Sequence, residues 1–327
     1  MGVVHYKGNT AQFPPDGLST APAAAALRIV RYCPKRRHPY YGVPPLFHAR
    51  PASGIVWRKR KGVAAVAKCI CILGQDARQC AAGQVLRRAG YRLTDPSAAA
   101  DAQYLLLPMS QSRVGDELAR CLQTVRPGTV VLAGRPGAPV RAAVRQANLP
   151  LIDYFERPEL ECLNAVPTAE GCLQLLLRLR QYTVWESDFL VLGYGRIGAA
   201  VAQRLTALGG RVTVAARRAE PLAYARCAGC RTVPLSRLEE VLPRHTAVIN
   251  TIPAPVLPRS RLALLPPGAL ILDLASLPGG TDFTAARELG LQAEQALALP
   301  GKCAPKTAGL LIGQTVLALL QERSDPL

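Results

Sequence analysis

Acidic residues are scarce in this chain of 327 residues, where 22 Asp+Glu stand against 40 Lys+Arg for a net charge of +18. They are scarcest at the start: residues 1–68 hold 12 Lys+Arg and a single acid, Asp16, so this segment carries +11 and residues 69–327 only +7. The basic character is therefore mostly that of a tail, not of a charged face spread over a fold. The tail lacks any sustained helical or alternating apolar pattern and is broken by Pro14, Pro15, Pro22, Pro34, Pro39, Pro44, Pro45 and Pro51. Residues 1–67 are expected to be a largely disordered basic tail. They also lack the continuous apolar stretch of a secretory signal. Lys35-Arg36-Arg37 and Arg58-Lys-Arg-Lys61 are short enough to be solvated charge, so nucleic acid is not an expected partner. Methionine is absent between Met1 and Met109, which leaves open whether the tail is a genuine extension or sequence read through from another start.

Further absences narrow the class. No apolar run approaches the roughly 18 residues that span a bilayer, so no membrane segment is expected. The ten cysteines are scattered, and Cys227-Ala-Gly-Cys230 has no second pair at metal-site spacing. Reduced thiols in a cytoplasmic protein without a metal are the expectation. Past the tail the only histidine is His245, which argues against a histidine-based 2-hydroxyacid dehydrogenase site.

What is present begins at Leu190-Val-Leu-Gly-Tyr-Gly-Arg-Ile-Gly198, an apolar strand running into a Gly-x-Gly-x-x-Gly turn, followed by a helix over residues 199–208. Each glycine meets a separate demand. Gly193 allows a sharp turn, Gly195 lets backbone approach a pyrophosphate, and Gly198 lets the helix pack close to its strand. Tyr194, Arg196 and Ile197, between these glycines, are candidate cofactor contacts with them, and the helix N-terminus offers free N–H groups to phosphate. A second strand, residues 211–215, follows at the spacing of a βαβ unit and ends in Ala216-Arg217-Arg218. An NAD site wants a carboxylate near this point to hold the ribose 2′-OH, whereas a 2′-phosphate favours arginine. Arg217 and Arg218 therefore predict NADP, with NAD the less favoured cofactor.

The fold class predicted is α/β, with two doubly wound, Rossmann-like parallel-sheet domains and a cleft between them. Residues 68–165 form the first, a substrate domain that opens with the apolar run Cys69-Ile-Cys-Ile-Leu73 and lacks the three glycines. Helices are expected at about 80–89, 116–123 and 138–146, and strands at 104–107, 130–133 and 151–154. Residues 166–183 link the domains through a helix at about 168–180. Residues 184–303 form the NADP-binding domain, with further strands at 247–250, 270–273 and 295–299. Residues 304–327 hold a C-terminal helix, about 305–323, expected by analogy to return to the first domain. Polar, turn-rich loops follow three strands in succession: Asn250-Thr-Ile-Pro253, Ala275-Ser-Leu-Pro-Gly-Gly-Thr-Asp282 and Pro300-Gly-Lys-Cys-Ala-Pro-Lys306. In such sheets ligands bind at these strand ends, which makes Thr251, Ile252, Pro253, Ala275 and Ser276 candidate cofactor contacts.

These blocks, with Gly74-Gln-Asp-Ala-Arg-Gln79 and Leu163-Asn-Ala-Val-Pro-Thr-Ala-Glu-Gly171, resemble the dipicolinate synthase A-subunit family of spore-forming bacteria. The likeness runs in order over roughly residues 69–322. Pro278-Gly-Gly-Thr-Asp-Phe283 and Gly301-Lys-Cys-Ala-Pro-Lys-Thr-Ala-Gly309 are its most restrictive blocks. Gln75, Leu277 and Cys303 depart from the family pattern, and the loss of lysine at 277 weakens that position as a carboxylate ligand.

The resemblance implies NADP-dependent oxidation of a dihydrodipicolinate-type ring to pyridine-2,6-dicarboxylate during sporulation. It also implies a partner, the flavoprotein-like dipicolinate synthase B subunit. A small dicarboxylate needs fixed cations, for which Lys302, Lys306 and Arg78 are the candidates, with Thr168 across the cleft. Glu170 ranks first as catalytic base, ahead of Asp76 and Asp282, with proton loss to water as the alternative. Two other readings stand beside this one: a shikimate-dehydrogenase-like enzyme acting on another small carboxylate, and a non-catalytic NADP-sensing subunit. Homo-oligomerisation is left open.

Overall fold

The central strands of the chain are apolar on both faces, as strands covered by helices on both sides must be. In the computed structural model, which describes residues 68–109 and 115–323, eleven strands form two wholly parallel sheets. The tail expected at residues 1–67 lies outside the described residues. The first sheet contains Cys69–Ile72 (β1), Arg92–Thr94 (β2), Tyr104–Leu106 (β3), Val130–Ala133 (β4) and Leu151–Asp153 (β5), in the order β2-β1-β3-β4-β5. The second contains Asp188–Leu192 (β6), Arg211–Ala216 (β7), Arg231–Pro234 (β8), Ala247–Asn250 (β9), Leu270–Asp273 (β10) and Gln292–Gln295 (β11), in the order β11-β10-β9-β6-β7-β8. Both are doubly wound orders, and the second is that of a dinucleotide-binding domain.

Each sheet separates two buried layers. Around the second, Phe189, Val191, Val201 and Leu272 pack on one face, and Leu190, Leu192, Val248 and Ile271 on the other. Around the first, Ile70, Leu86 and Leu106 pack on one face, and Cys71, Leu105 and Val131 on the other.

The first sheet carries the helices Ala77–Arg88 (α1), Gly115–Thr124 (α2) and Ala138–Gln146 (α3). The connecting helix runs over Pro158–Leu179 (α4), ten residues longer at its start than the sequence suggests. Pro167 reads as a helix breaker, yet it lies inside α4. A mid-helix proline removes one backbone bond. Buried Ala165, Thr168, Ala169, Cys172 and Leu176 along the same helix outweigh that loss.

The strand expected at 295–299 is also displaced. β11 is the polar edge strand Gln292–Gln295, paired only with β10, and the apolar residues after it turn through Ala298 into a short helix, Leu299–Cys303 (α9). Between these, the second sheet carries Arg196–Ala207 (α5), Ala219–Cys227 (α6), Arg259–Leu262 (α7) and Phe283–Glu288 (α8).

The last helix, Pro305–Glu322 (α10), leaves the second sheet and packs on α1. Glycine is required at that crossing: a Cβ on Gly309 would stand 2.7 Å from the Ala81 Cβ, and one on Gly313 would stand 2.8 Å from the Ala82 carbonyl oxygen. Beyond the crossing, Leu311, Ile312, Val316 and Leu320 enter the first sheet's core. α4 and α10 thus tie the two sheets together, with the C-terminal strand ends of the second sheet facing the first.

Candidate active site

The second sheet reverses its winding between β6 and β9, and the crevice outside that pair is where a dinucleotide binds. After β6 the chain turns at Gly193 with φ +90°, a conformation side-chain-bearing residues rarely adopt. Its N–H donates to the Ala215 carbonyl at 2.8 Å, and a Cβ would press on Thr251 Oγ1 at 2.5 Å. Thr251 is itself fixed, its hydroxyl donating to the Leu192 carbonyl at 2.8 Å. Gly198 packs so closely that a Cβ would run into the Gly193 carbonyl, with its carbon 2.9 Å away. Gly195, the N-cap of α5, differs: a Cβ there would meet nothing within 4 Å. It faces open space beside unpaired helix N–H groups, the cradle a pyrophosphate fills. Tyr194 and Ile197 pack instead against the core beneath the turn.

A cleft of about 360 Å³ lies against this turn, walled by Gly193, Gly195, Arg196, Ile197 and Thr251 to Pro253 on one side. Its other wall comes from Arg135, Phe155, Glu161, Asn164 and Ala165. Sequence reasoning missed that wall. The polar turn Gly134-Arg-Pro-Gly137 at the end of β4 was the available signal.

At the end of β7, Arg217 is exposed and pairs with no acid among the described residues. Arg218 caps α6 and lies 4.0 Å from Glu220. No carboxylate follows the strand directly.

The loops after β9 and β10 are held by a buried pair that sequence reasoning also missed. Asn250 Nδ2 donates to Asp273 Oδ1 at 2.9 Å and to the Ile252 carbonyl at 3.1 Å. Asp273 further accepts from the Ala275 N–H at 3.0 Å and the Gly280 N–H at 2.9 Å. A buried carboxylate satisfied in this way is a structural clamp. It spends the Ala275 amide, and Ala275 and Ser276 lie outside the walls of the cleft.

The substrate candidates divide. Arg78, 19% exposed, sits at the start of α1 with its guanidinium against Gly301, where a Cβ would be 3.1 Å from Cζ. The α1 start and the α9 loop are thereby brought together, with exposed Lys302 next to Gly301 and exposed Lys306 in the first turn of α10. Neither lysine pairs with an acid among the described residues. Thr168 is buried, its hydroxyl donating to the Asn164 carbonyl at 2.7 Å. Beside it Cys303 Sγ donates to the Pro167 carbonyl at 3.1 Å, seating α9 on α4.

Glu170 lies midway along α4. Its side chain is 55% exposed, turned to Arg204 of α5 at 3.3 Å, and lines no wall of the cleft. Next to it Gly171 meets α9, where a Cβ would stand 2.9 Å from Cys303 Sγ, and burial pushes the Cys303 thiol up with the nearby Glu170 carboxylate adding to the shift. Asp76 and Asp282 are caps: Asp76 accepts from the Arg78 and Gln79 N–H groups at 2.8 and 3.1 Å, and Asp282 from the Ala285 N–H at 2.9 Å. His245 is buried, bonded to the Val241 carbonyl and Thr213. Among the described residues, no group of His, Cys, Asp and Glu is placed to hold a metal, and no helix is long and apolar enough to cross a membrane.

Comparison with known proteins agrees with this geometry. Residues 171–276 match the family model for the NAD-binding domain of D-isomer specific 2-hydroxyacid dehydrogenases, a nicotinamide-cofactor domain. The A-subunit of dipicolinate synthase from Bacillus subtilis is 38% identical over 193 residues, 59% of this chain and 65% of the relative, so the match spans just under two thirds of that protein. The crystal structure of the dipicolinate synthase A-subunit from Bacillus halodurans superposes with a TM-score of 0.71 at 28% identity, covering 79% of this chain and 98% of that one. The Bacillus subtilis A-chain structure gives 0.69 at 30% identity, covering 80% of this chain and 98% of that one. With its glycine turn, its two wound sheets and these likenesses along nearly the whole of two solved chains, this chain belongs to the dipicolinate synthase A-subunit family.

Proposed function

We propose that this NAD(P)-dependent oxidoreductase oxidises a dihydrodipicolinate-type ring to pyridine-2,6-dicarboxylate, with NADP as the hydride acceptor. The observation that carries the substrate half is the meeting of Arg78 with the Gly301-Lys302 loop. It places Arg78 beside the stretch of α9 and α10 that carries exposed Lys302 and Lys306, and among the described residues the only acid paired with these three cations is Asp76, 3.4 Å from Arg78. Such a site suits a small dianion, since guanidinium and ammonium groups bind carboxylates and a helix N-terminus adds N–H donors. The cofactor half rests on Arg217, which meets a 2′-phosphate with no carboxylate to repel it.

The bound nicotinamide supplies a two-electron acceptor for one hydride. The chain's own residues hold and orient: the cations fix both carboxylates, and the turn at Gly193 to Gly198 fixes the cofactor's phosphates. One C–H bond breaks as hydride leaves, and the ring nitrogen or carbon then loses a proton to water, yielding the aromatic ring. Glu170, the carboxylate ranked first for that step, pairs with Arg204 at 3.3 Å, and water is the acceptor proposed in its place. In the cytoplasm of a sporulating cell this chain works with a flavoprotein-like B subunit. Thr168 shapes the floor beneath the carboxylates through its bond to Asn164.

Steady-state kinetics test the assignment. Lys306→Ala is expected to raise the substrate KM at least tenfold, the loss of one charge-assisted contact, while the NADP Kd stays within twofold. Glu170→Gln is expected to change neither. Unchanged kinetics in Lys306→Ala would remove that lysine from the site.

A further inference from the structure

We propose that Arg135, carried by the first sheet, completes the dinucleotide site by taking the cofactor's pyrophosphate from the side opposite the glycine turn. Arg135 stands at φ +49°, a left-handed conformation that a side-chain-bearing residue holds only when its surroundings enforce it. The enforcement is visible. Its N–H donates to Asp153 Oδ1 at 2.9 Å, the same oxygen that accepts from the Phe155 N–H at 2.9 Å. Its guanidinium lies over the Phe155 ring, 4.4 Å from the centroid. Backbone and side chain are both aimed before any ligand arrives.

The charge balance points the same way. One carboxylate serves two guanidinium groups from the two sides of the cleft: Glu161 Oε2 is 2.8 Å from Arg196 Nη1, and Oε1 is 3.6 Å from Arg135 Nη2. Arg196 is the first residue of α5, inside the glycine turn. Two cations share one anion at a helix N-terminus, leaving one positive charge uncompensated on the cleft. The Arg135 side chain is 59% exposed there and spends one long contact of its five donors. Arg135 and Arg196 would hold a doubly charged pyrophosphate bound at Gly195 from the two sides of the cleft.

The inference rests on the dinucleotide site and not on which ring is oxidised. The test measures dissociation constants by calorimetry on the full chain and its Arg135→Gln and Arg135→Lys variants. The probes are NADP, NAD, ADP-ribose and adenosine 2′,5′-bisphosphate, of which the last lacks a pyrophosphate. Arg135→Gln is expected to weaken NADP, NAD and ADP-ribose roughly ten- to a hundredfold, the range for one charged hydrogen bond. Adenosine 2′,5′-bisphosphate binding is expected to stay within twofold, which also shows that the variant is folded, and Arg135→Lys is expected to recover part of the loss. Equal weakening of all four probes would overturn the proposal in favour of a structural role. Unchanged dinucleotide binding with a raised substrate KM would overturn it in favour of a carboxylate ligand. If the wild-type chain bound none of the probes, the cofactor site itself would fail and this inference with it.

Discussion

Alanine at Gly195 separates folding from cofactor binding, and the structure gives the size of both effects. Gly195 has φ −85° and ψ −164°, an extended conformation open to any residue, and a Cβ there touches nothing within 4 Å. The unliganded variant loses only the N-cap difference between glycine and alanine, at most about 1 kcal/mol. That is a fall of roughly 2–4 °C in Tm for a domain of this size. The same methyl group occupies the space into which the pyrophosphate must come. Forcing an extra carbon into a close contact costs about 1–3 kcal/mol, or roughly 5- to 150-fold in Kd. Gly198 provides the contrast, because its Cβ would strike the Gly193 backbone, 2.9 Å from the carbonyl carbon, with or without ligand. Gly198→Ala is expected to lower the Tm of the free protein clearly further than Gly195→Ala does. Thermal unfolding without ligand, paired with NADP titration, measures both. Equal losses of Tm in the two variants, or unchanged NADP affinity in Gly195→Ala, would refute the reasoning.

Two more outcomes are expected. Arg217→Asp is expected to weaken NADP roughly 10- to 150-fold, the range of one charged hydrogen bond to phosphate, while NAD affinity holds or improves; an unchanged preference would remove Arg217 from the ribose site. Burial pushes the Cys172 thiol up from 9.0 to about 12, so above pH 9 the unfolded chain ionises there while the folded chain keeps its proton. Stability is therefore expected to fall between about pH 9 and 12, at up to ~1.4 kcal/mol per pH unit for this thiol. The slope from urea unfolding should be shallower in Cys172→Ala, and native Cys172 should resist alkylation at pH 8 while exposed Cys80, Cys162 and Cys227 react.

The residues that announced themselves in the sequence are those whose chemistry is local. A glycine turn after an apolar strand reads directly, because it answers to its own neighbours in the chain. The edge strand β11 did not, since Gln292-Ala-Glu-Gln295 pairs on one side only and need not be apolar. α4 begins ten residues before the expected helix and holds Pro167 inside it, because buried residues along its length outweigh the one backbone bond a proline removes. Asn250 and Asp273, 23 residues apart, meet only because β9 and β10 run in register with those two residues paired. Arg135, Glu161 and Arg196 come from separate elements and become one cluster only when α4 brings the two sheets together. Glu170 stands in a motif, and its pairing with Arg204 of α5 is a contact between elements that the motif does not carry.

Under the proposed function this chain passes hydride from a small dicarboxylate ring to NADP and makes that ring aromatic. Freshly generated dihydrodipicolinate, the purified chain and NADP, with and without the proposed B subunit, allow the reaction to be followed by ultraviolet absorbance. The account expects pyridine-2,6-dicarboxylate and NADPH to appear together in equal amounts, with NADP preferred to NAD and the yield lost in Lys306→Ala. Tight NADP binding with no pyridine dicarboxylate formed, alone or with the B partner, would contradict it and favour a chain that senses the dinucleotide.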